Sequence, residues 1–589
     1  MANDKLTAPP DVLHPLLTAL GERYQALAPQ SGMPSEYAER HASLTLAQAA
    51  LRNLNLLHAF PDFPRQIAVI GPTQVGKSTL VNVLLGQIEA EVSPLAGFTT
   101  QPQGFSSSDA DIQWLTELLP GRTATRVDGL SRDNLNHFGF MQSASSAGFE
   151  NTIIWDTPDF DSLSSQKYRN SVLEIIAMAD IVVLVLSKEK YSDLSVWKTL
   201  ELMLPLQREL FVCLNKVDDN ARAAVEQSLL EKLDAAGASN TTLITLPAQI
   251  GLDQLKENEL PAGAVELRAA LQGRLQALDR NYRAAAARIF IQQHWDVWHE
   301  PVLAEHRSIS DWQQIVQQSA DAALESYQRD YLDNSERYET FKRAIAQLLI
   351  LLEIPGLSQP LTSIRGAITW PIRQLVSFWP GDKSPNQSSQ TEKMDNELSI
   401  LTALSEQLLT AINRELTERI EAENNAIFAL LKSELTDHHG AITEKFSTSV
   451  RTYHAEFEAE INATANQLYA LLKQRPAMLN SLRAARVTAD ASGIAFALKT
   501  GGIGVSDLLL APAMLSLTSM LTEGALGSYM SRISDELKHK QMQTVEEQLF
   551  NKTLANELLK LSGSLDRNRI FGIQEQQMAE ARQALESWR

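Results

Sequence analysis

One octapeptide constrains this chain more than any other feature. Gly71-Pro72-Thr73-Gln74-Val75-Gly76-Lys77-Ser78 fits G-x-x-x-x-G-K-[ST]; it follows the apolar run Gln66–Ile70 and opens a helical run from Thr79 to Gly86. Strand, glycine-rich turn and helix in that order separate a phosphate loop from a chance match. The glycines let backbone N–H groups wrap a phosphate at a helix N-terminus, where the dipole favours an anion. Lys77 would reach the β- and γ-phosphates of a nucleotide, and the Ser78 hydroxyl would coordinate Mg²⁺. A turn that bound nothing would demand neither the lysine nor the hydroxyl.

The surrounding pattern supplies a sheet for that loop. Short apolar runs at Gln66–Ile70, Thr152–Trp155, Ile181–Leu186, Leu210–Leu214 and Thr242–Leu246 alternate with helical spacing. Such alternation predicts βαβ units and a mainly parallel sheet, its strands apolar throughout because helices cover both faces. Before it, Leu13, Leu16, Leu17 and Leu20, then Leu44 to Leu57, predict one or two helices closed by Pro61 and Pro64. After about Pro261 strand signals nearly vanish. The stretch 386–475 has no proline and carries helical spacing (Leu398, Leu401, Leu404, Leu408, Ile412, Leu416, Ile420), with Gly440 as its expected break. A continuous helix there would extend on the order of 130 Å. The fold class expected is an α/β nucleotide-binding domain, mainly parallel and of the P-loop fold, followed by a large elongated all-α domain. The expected divisions are N-terminal helices packing on the stalk or neck (1–61), that P-loop domain (62–255), and a helical stalk with an apolar segment near 344–380 (261–475). A basic-flanked apolar hairpin or paddle (476–530) and returning C-terminal helices (531–589) complete the layout.

A phosphate loop does not choose the base. Asn215-Lys216-Val217-Asp218, at the end of Leu210–Leu214, does. In GTPases the carboxylate of Asn-Lys-x-Asp accepts from guanine's ring N1–H and 2-amino group; adenine offers no such donor pair and leaves the carboxylate unpaired. Between the two motifs, Asp156 in Trp155-Asp156-Thr157-Pro158-Asp159 fits the acid that holds Mg²⁺ through water. In Gly97-Phe98-Thr99-Thr100-Gln101-Pro102, either Thr99 or Thr100 would close onto Mg²⁺ and the γ-phosphate, and Thr100 is the preferred assignment. The catalytic set is thus Lys77, Thr100 and Asp156, and the metal set Ser78, Thr100 and Asp156. The nucleotide set is Gly71 to Thr79 with Asn215, Lys216 and Asp218. A fifth nucleotide element is expected after Thr242–Leu246, where Pro247-Ala248 is a poor match.

Over about residues 62–252 these elements resemble the translation-factor-like (TRAFAC) class of GTPases. Val75 before Gly76, followed by Lys-Ser-Thr-Leu-Val-Asn, resembles the Era/TrmE branch, whereas the whole-chain layout is similar to bacterial dynamin-like proteins. The resemblance implies GTP and Mg²⁺ as cofactors, GTP hydrolysis, and a homo-oligomer. Two departures stand out. Asp159 occupies the glycine of D-x-x-G, and Phe160 the place of a water-orienting glutamine, so intrinsic hydrolysis should be slow, with missing groups supplied by another loop or a second molecule. Dynamins usually carry serine where this chain has Val75.

Composition narrows the partners. A net charge of −19 from 52 Lys+Arg and 71 Asp+Glu argues against a duplex nucleic-acid platform. The single Cys213 excludes an intrachain disulfide framework and fits a reducing compartment. The first residues show no basic region followed by an apolar core, so a cytosolic start is expected. Leu508–Thr522 carries no charge but is broken by Pro512 and spans only 15 residues, against about 20 for a simple membrane helix. It lies within 491–530, flanked by Lys473, Arg475, Arg483, Arg486 and Lys499, and 354–380 adds Trp370 and Trp379 with Arg365 and Arg373. Contact with anionic lipid at the inner membrane face through these segments, and burial inside a helical bundle, are both consistent with that pattern. Asp437-His438-His439 reads as a helix break rather than a metal site. Three roles follow: a dynamin-like GTPase coupling nucleotide state to self-assembly and membrane contact, an Era/TrmE-like regulator whose helical domain docks a protein, or a ribosome-associated GTPase.

Overall fold

The strand Ile181–Ser187 shows how the sheet organises the first half of the chain. Its residues alternate, Val182, Leu184 and Leu186 entering one apolar cluster and Ile181, Val183 and Val185 another, with every one buried. Period-2 side chains on a strand covered on both faces produce that split. The computed structural model describes residues 9–30, 35–93, 98–106, 113–130, 134–142, 148–160, 169–246, 260, 262–334, 337–352, 396–423, 425–476, 479 and 527–588. The chain divides into two units, residues 1–306 with 567–589, and residues 307–566.

In chain order, the first unit holds α1 (Leu13–Leu27), α2 (Glu36–Ala59), β1 (Arg65–Ile70), α3 (Lys77–Leu85), β2 (Gln103–Ser106), α4 (Leu115–Leu118), β3 (Thr123–Thr125) and β4 (His137–Gln142). It continues with β5 (Thr152–Asp156), α5 (Arg169–Met178), β6 (Ile181–Ser187), α6 (Leu194–Met203), β7 (Glu209–Asn215), α7 (Asp219–Ala235), β8 (Thr242–Thr245) and α8 (Ala262–Ala277). The sheet has eight strands in the order β3-β4-β2-β5-β1-β6-β7-β8. All pairings are parallel except β2 with β5. All five apolar runs are strands. Strands β2, β3 and β4 are interrupted by polar residues or by glycine, so no apolar run announces them; Gly104 lets β2 lie against the Trp155 ring, which an added Cβ would meet at 2.9 Å.

Both N-terminal helices belong to this unit. Asn53 on α2 donates to the Met178 carbonyl at the end of α5 (2.9 Å). Helix α9 (Tyr282–Tyr327) contributes its residues up to 306 to the same unit. Buried Tyr24 donates to the Trp298 carbonyl at 2.9 Å, and the Trp298 indole donates to Ser43 at 2.9 Å. Glu305 accepts the backbone N–H groups of Phe571 (2.7 Å) and Gly572 (2.9 Å), bringing the chain back ahead of the last helix, Glu575–Ser587. Buried Asp180 ties the start of α9 to the sheet: it accepts the Gln66 N–H at 2.7 Å and pairs with Arg283.

The second unit is helical: the remainder of α9, α10 (Glu339–Leu351), α11 (Asn396–Glu423), α12 (Ala426–Lys473), α13 (Gly527–Thr544), a π-helical stretch (Val545–Ala555) and α14 (Asn556–Gly563), which makes Glu575–Ser587 helix α15. Helix α12 runs 48 residues, about 72 Å at 1.5 Å per residue. Phe428, Leu431, Leu435, Ile442, Phe446, Val450, Tyr453, Phe457 and Ile461 recur at helical spacing on its buried face. The expected break at Gly440 is corrected here. Gly440 lies inside α12, and an added Cβ would meet nothing within 4 Å. The chain breaks instead before Asn425, whose extended backbone and side-chain bond to the Ile427 N–H (2.9 Å) cap the new helix. A mid-helix glycine costs only about 1 kcal/mol, which the apolar residues on either side outweigh. The continuous helix expected over 386–475 is therefore divided. His438 contacts Glu434 one turn away and His439 contacts Glu406 on α11. The expected apolar segment at 354–380 lies outside the described residues, as does 491–530 apart from 527–530, which begin α13. Among the described residues no helix is long and apolar enough to cross a membrane.

Candidate nucleotide-binding site

The site forms where β1, β5, β6 and β7 end. Gly71 meets Val185 so closely that an added Cβ would lie 2.4 Å from its carbonyl oxygen. Gly76 takes φ +95°, a left-handed conformation natural to glycine, and an added Cβ there would meet Asn215 Nδ2 at 2.6 Å. Gln74 also has positive φ, 63°. Val75 is buried beneath the loop. Lys77 and Ser78 then open α3, as the strand-turn-helix pattern predicts.

Lys77 Nζ donates to the Pro72 carbonyl at 3.0 Å and pairs with Asp159. Ser78 Oγ donates to Asp156 Oδ2 at 2.6 Å. Asp156 is buried at the end of β5, and burial pushes its carboxyl up to about 6 against the opposing pull of the Ser78 hydrogen bond and the Lys77 charge. Its Oδ1 is buried with no hydrogen-bond partner among the described residues. A free carboxylate oxygen beside a serine hydroxyl is the hard-oxygen donor set that suits Mg²⁺, so these residues fit that ion. Next to it, Thr157 Oγ1 donates to the Val69 carbonyl at 2.8 Å and ties the turn to β1.

The residues expected to read the base are joined physically to the phosphate loop. Asn215 Nδ2 donates to the Val75 carbonyl (2.9 Å), and its Oδ1 accepts the Lys216 N–H (2.9 Å). Lys216, at φ 59°, sends its ammonium to the Gln74 carbonyl at 2.6 Å. Asp218 caps α7 through the Ala221 N–H at 2.9 Å and accepts from Lys188 Nζ at 3.2 Å. The Lys188 hydrogen bond first, then the Ala221 N–H, hold its carboxyl below the usual range. Sequence reasoning missed Lys188: it follows β6, and only the pairing of β6 with β7 places it beside Asp218.

Of the threonine pair, Thr99 lines the cavity over the loop together with Lys77, Ser78, Thr79 and Asp159. Thr100 donates to the Gln101 side chain at 3.0 Å. Phe160 is buried. Pro247-Ala248, the poor match at the place expected for the fifth element, lies outside the described residues.

Residues 66–216 match the family model described as 50S ribosome-binding GTPase. No curated protein matches the chain. Among solved structures the chain is similar to Aquifex aeolicus Era bound to GDP and tetrafluoroaluminate, at 18% identity and a TM-score of 0.22, covering 33% of this chain and 56% of that one. The chain thus spans little more than half the length of that Era chain. Two structures of an oligomerised bacterial dynamin pair, described as providing a mechanism for long-range sensing and tethering of membranes, are similar at 13% and 12% identity, with TM-scores of 0.39 and 0.37 and 98% of both chains covered in each case.

Proposed function

We propose that this chain, with a GTPase domain over residues 66–216, binds and hydrolyses GTP with Mg²⁺ and couples nucleotide state, through its helical unit, to self-assembly and membrane contact. One observation carries the nucleotide reading: Asn215 and Lys216 bond directly to carbonyls of the phosphate loop, so the groups that read base and phosphate are held together. Ser78 and Asp156, with a hydroxyl from Thr99-Thr100, would hold Mg²⁺, which supplies positive charge to the phosphates when bound. Lys77 neutralises and orients the phosphates, loop N–H groups cradle them, and Asp218 accepts from the guanine edge. Phe160 offers no polar atom to position a water, which supports a low intrinsic rate. The uncharged run Leu508–Thr522 and its basic flank support the membrane part.

The test is GTP turnover and co-sedimentation of the full chain with vesicles containing about one-third anionic lipid, a fraction chosen to attract a basic flank. Lys77→Ala should abolish GTP binding and turnover, and undiminished GTP affinity would remove the site assignment. Deleting Leu508–Thr522 should abolish sedimentation while leaving basal turnover; equal sedimentation of the deletion variant would favour a helical unit that docks a protein.

A further inference from the structure

The turn after β5 carries a carboxylate where the D-x-x-G pattern has glycine, and that carboxylate lies on the phosphate-loop lysine. Asp159 pairs with Lys77 Nζ, the two side chains being 10% and 6% exposed. The same ammonium donates to the Pro72 carbonyl at 3.0 Å, so protein oxygens already claim it from two directions. Asp159 lines the same cavity as Lys77, Ser78 and Thr99, which is the space a terminal phosphate would enter. Asp156 contributes a second carboxylate bonded to Ser78, leaving two acids and one ammonium around the inner pocket.

The phosphates of a nucleotide do not depend equally on these groups. The loop's backbone N–H groups and the N-terminus of α3 serve the β-phosphate whatever Asp159 does. A γ-phosphate relies much more on the lysine and on the turn after Asp156. Here that turn presents a negative charge instead of a backbone donor alone, and its charge already occupies the lysine.

We propose that Asp159 is a specificity-determining residue: it stands in for the terminal phosphate on Lys77 and makes the site prefer a guanosine diphosphate over a triphosphate. This rests on the guanine-nucleotide reading of the site and adds which phosphate state the resting chain favours. Triphosphate entry requires the Asp159 carboxylate to leave Lys77.

The experiment is fluorescence titration of the full chain with labelled GDP and a labelled non-hydrolysable GTP analogue, both with Mg²⁺. Wild type should bind the diphosphate at least about tenfold tighter. Asp159→Asn and Asp159→Gly should shift the ratio of the two Kd values at least about tenfold toward the triphosphate. Asp159→Glu, which keeps the charge, should retain the wild-type ratio. A wild type that binds the analogue as tightly as GDP overturns the proposal even where the variants do not fold. So does an unchanged ratio in folded Asn and Gly variants, while the site reading survives through loss of binding in Lys77→Ala. Absence of binding of either nucleotide by folded wild type and by both folded variants overturns the site reading and the proposal together.

Discussion

Glu397 offers the sharpest test of how the helical unit holds its register. It lies in the first turn of α11 and is 3% exposed. Its Oε1 accepts from Tyr327 Oη on α9 (2.6 Å), Tyr453 Oη on α12 (2.9 Å) and Gln541 Nε2 on α13 (2.8 Å). Oε2 faces His454 Nε2 at 3.4 Å. One carboxylate thereby joins four helices. Glu397→Ala leaves two buried phenols without an acceptor, at about 1–3 kcal/mol each, while Gln541 keeps its bond to Thr340 (3.0 Å). The total is about 2–6 kcal/mol, which spans the cost of breaking a buried charged pair. The assay is amide hydrogen exchange of Asn396–Glu423 and Ala426–Lys473 in the full chain, which reports this unit without assuming two-state unfolding of the whole. A loss of about 3 kcal/mol should speed exchange about a hundredfold. Glu397→Leu combined with Tyr327→Phe and Tyr453→Phe removes the stranded donors too and should recover at least about half the loss. Exchange changed less than about threefold in Glu397→Ala, or a triple variant that opens as fast as the single, would refute the reasoning. The pH dependence has a defined sign. Burial opposes ionisation of Glu397, but His454 together with the Tyr327 and Gln541 hydrogen bonds outweighs it and holds the carboxyl below its ordinary value of 4.5. The network's contribution is therefore present above that value and is lost as pH falls through the lower folded-state value. Glu397→Gln should show a shallower acid loss than wild type.

Three further outcomes follow from the first unit. Asp180→Ala removes the acceptor of the Gln66 N–H and the counter-charge of buried Arg283, so strand β1 should lose about 3 kcal/mol of exchange protection; a change below about 1 kcal/mol would show that the pair is dispensable. Asn215→Ala strands the Val75 carbonyl and frees the Lys216 backbone, so guanine-nucleotide affinity should fall about tenfold, and unaltered affinity would separate the two loops energetically. Asp218→Asn should weaken guanine binding and gain xanthine nucleotides, because the amide presents a donor where guanine also donates; unchanged base selectivity in competition binding would deny Asp218 its role.

Legibility followed the range of the forces involved. The phosphate loop was readable because one local segment must supply strand, turn, lysine and hydroxyl together, and Gly71 to Ser78 does. The five apolar strands were readable because burial on both faces demands apolar residues at every position. Strands β2 to β4 were not, since short segments such as Gln103–Ser106 draw their order from neighbouring strands rather than from their own composition. Gly440 misled because the penalty of one glycine is small beside a buried stripe that runs past it.

What the sequence determined by itself, then, was what must be local: a phosphate loop and a mainly parallel sheet to carry it, with Asn215 to Asp218 placed at the end of one of its strands. Tertiary structure decided the pairings between distant segments. It placed Lys188 beside Asp218, Asp159 on Lys77, Asp180 under Arg283, and one carboxylate, Glu397, among four helices. Such contacts depend on which strand neighbours which and on how helices meet. A charge's partner is set by the fold that surrounds it, and only the folded chain fixes that neighbourhood.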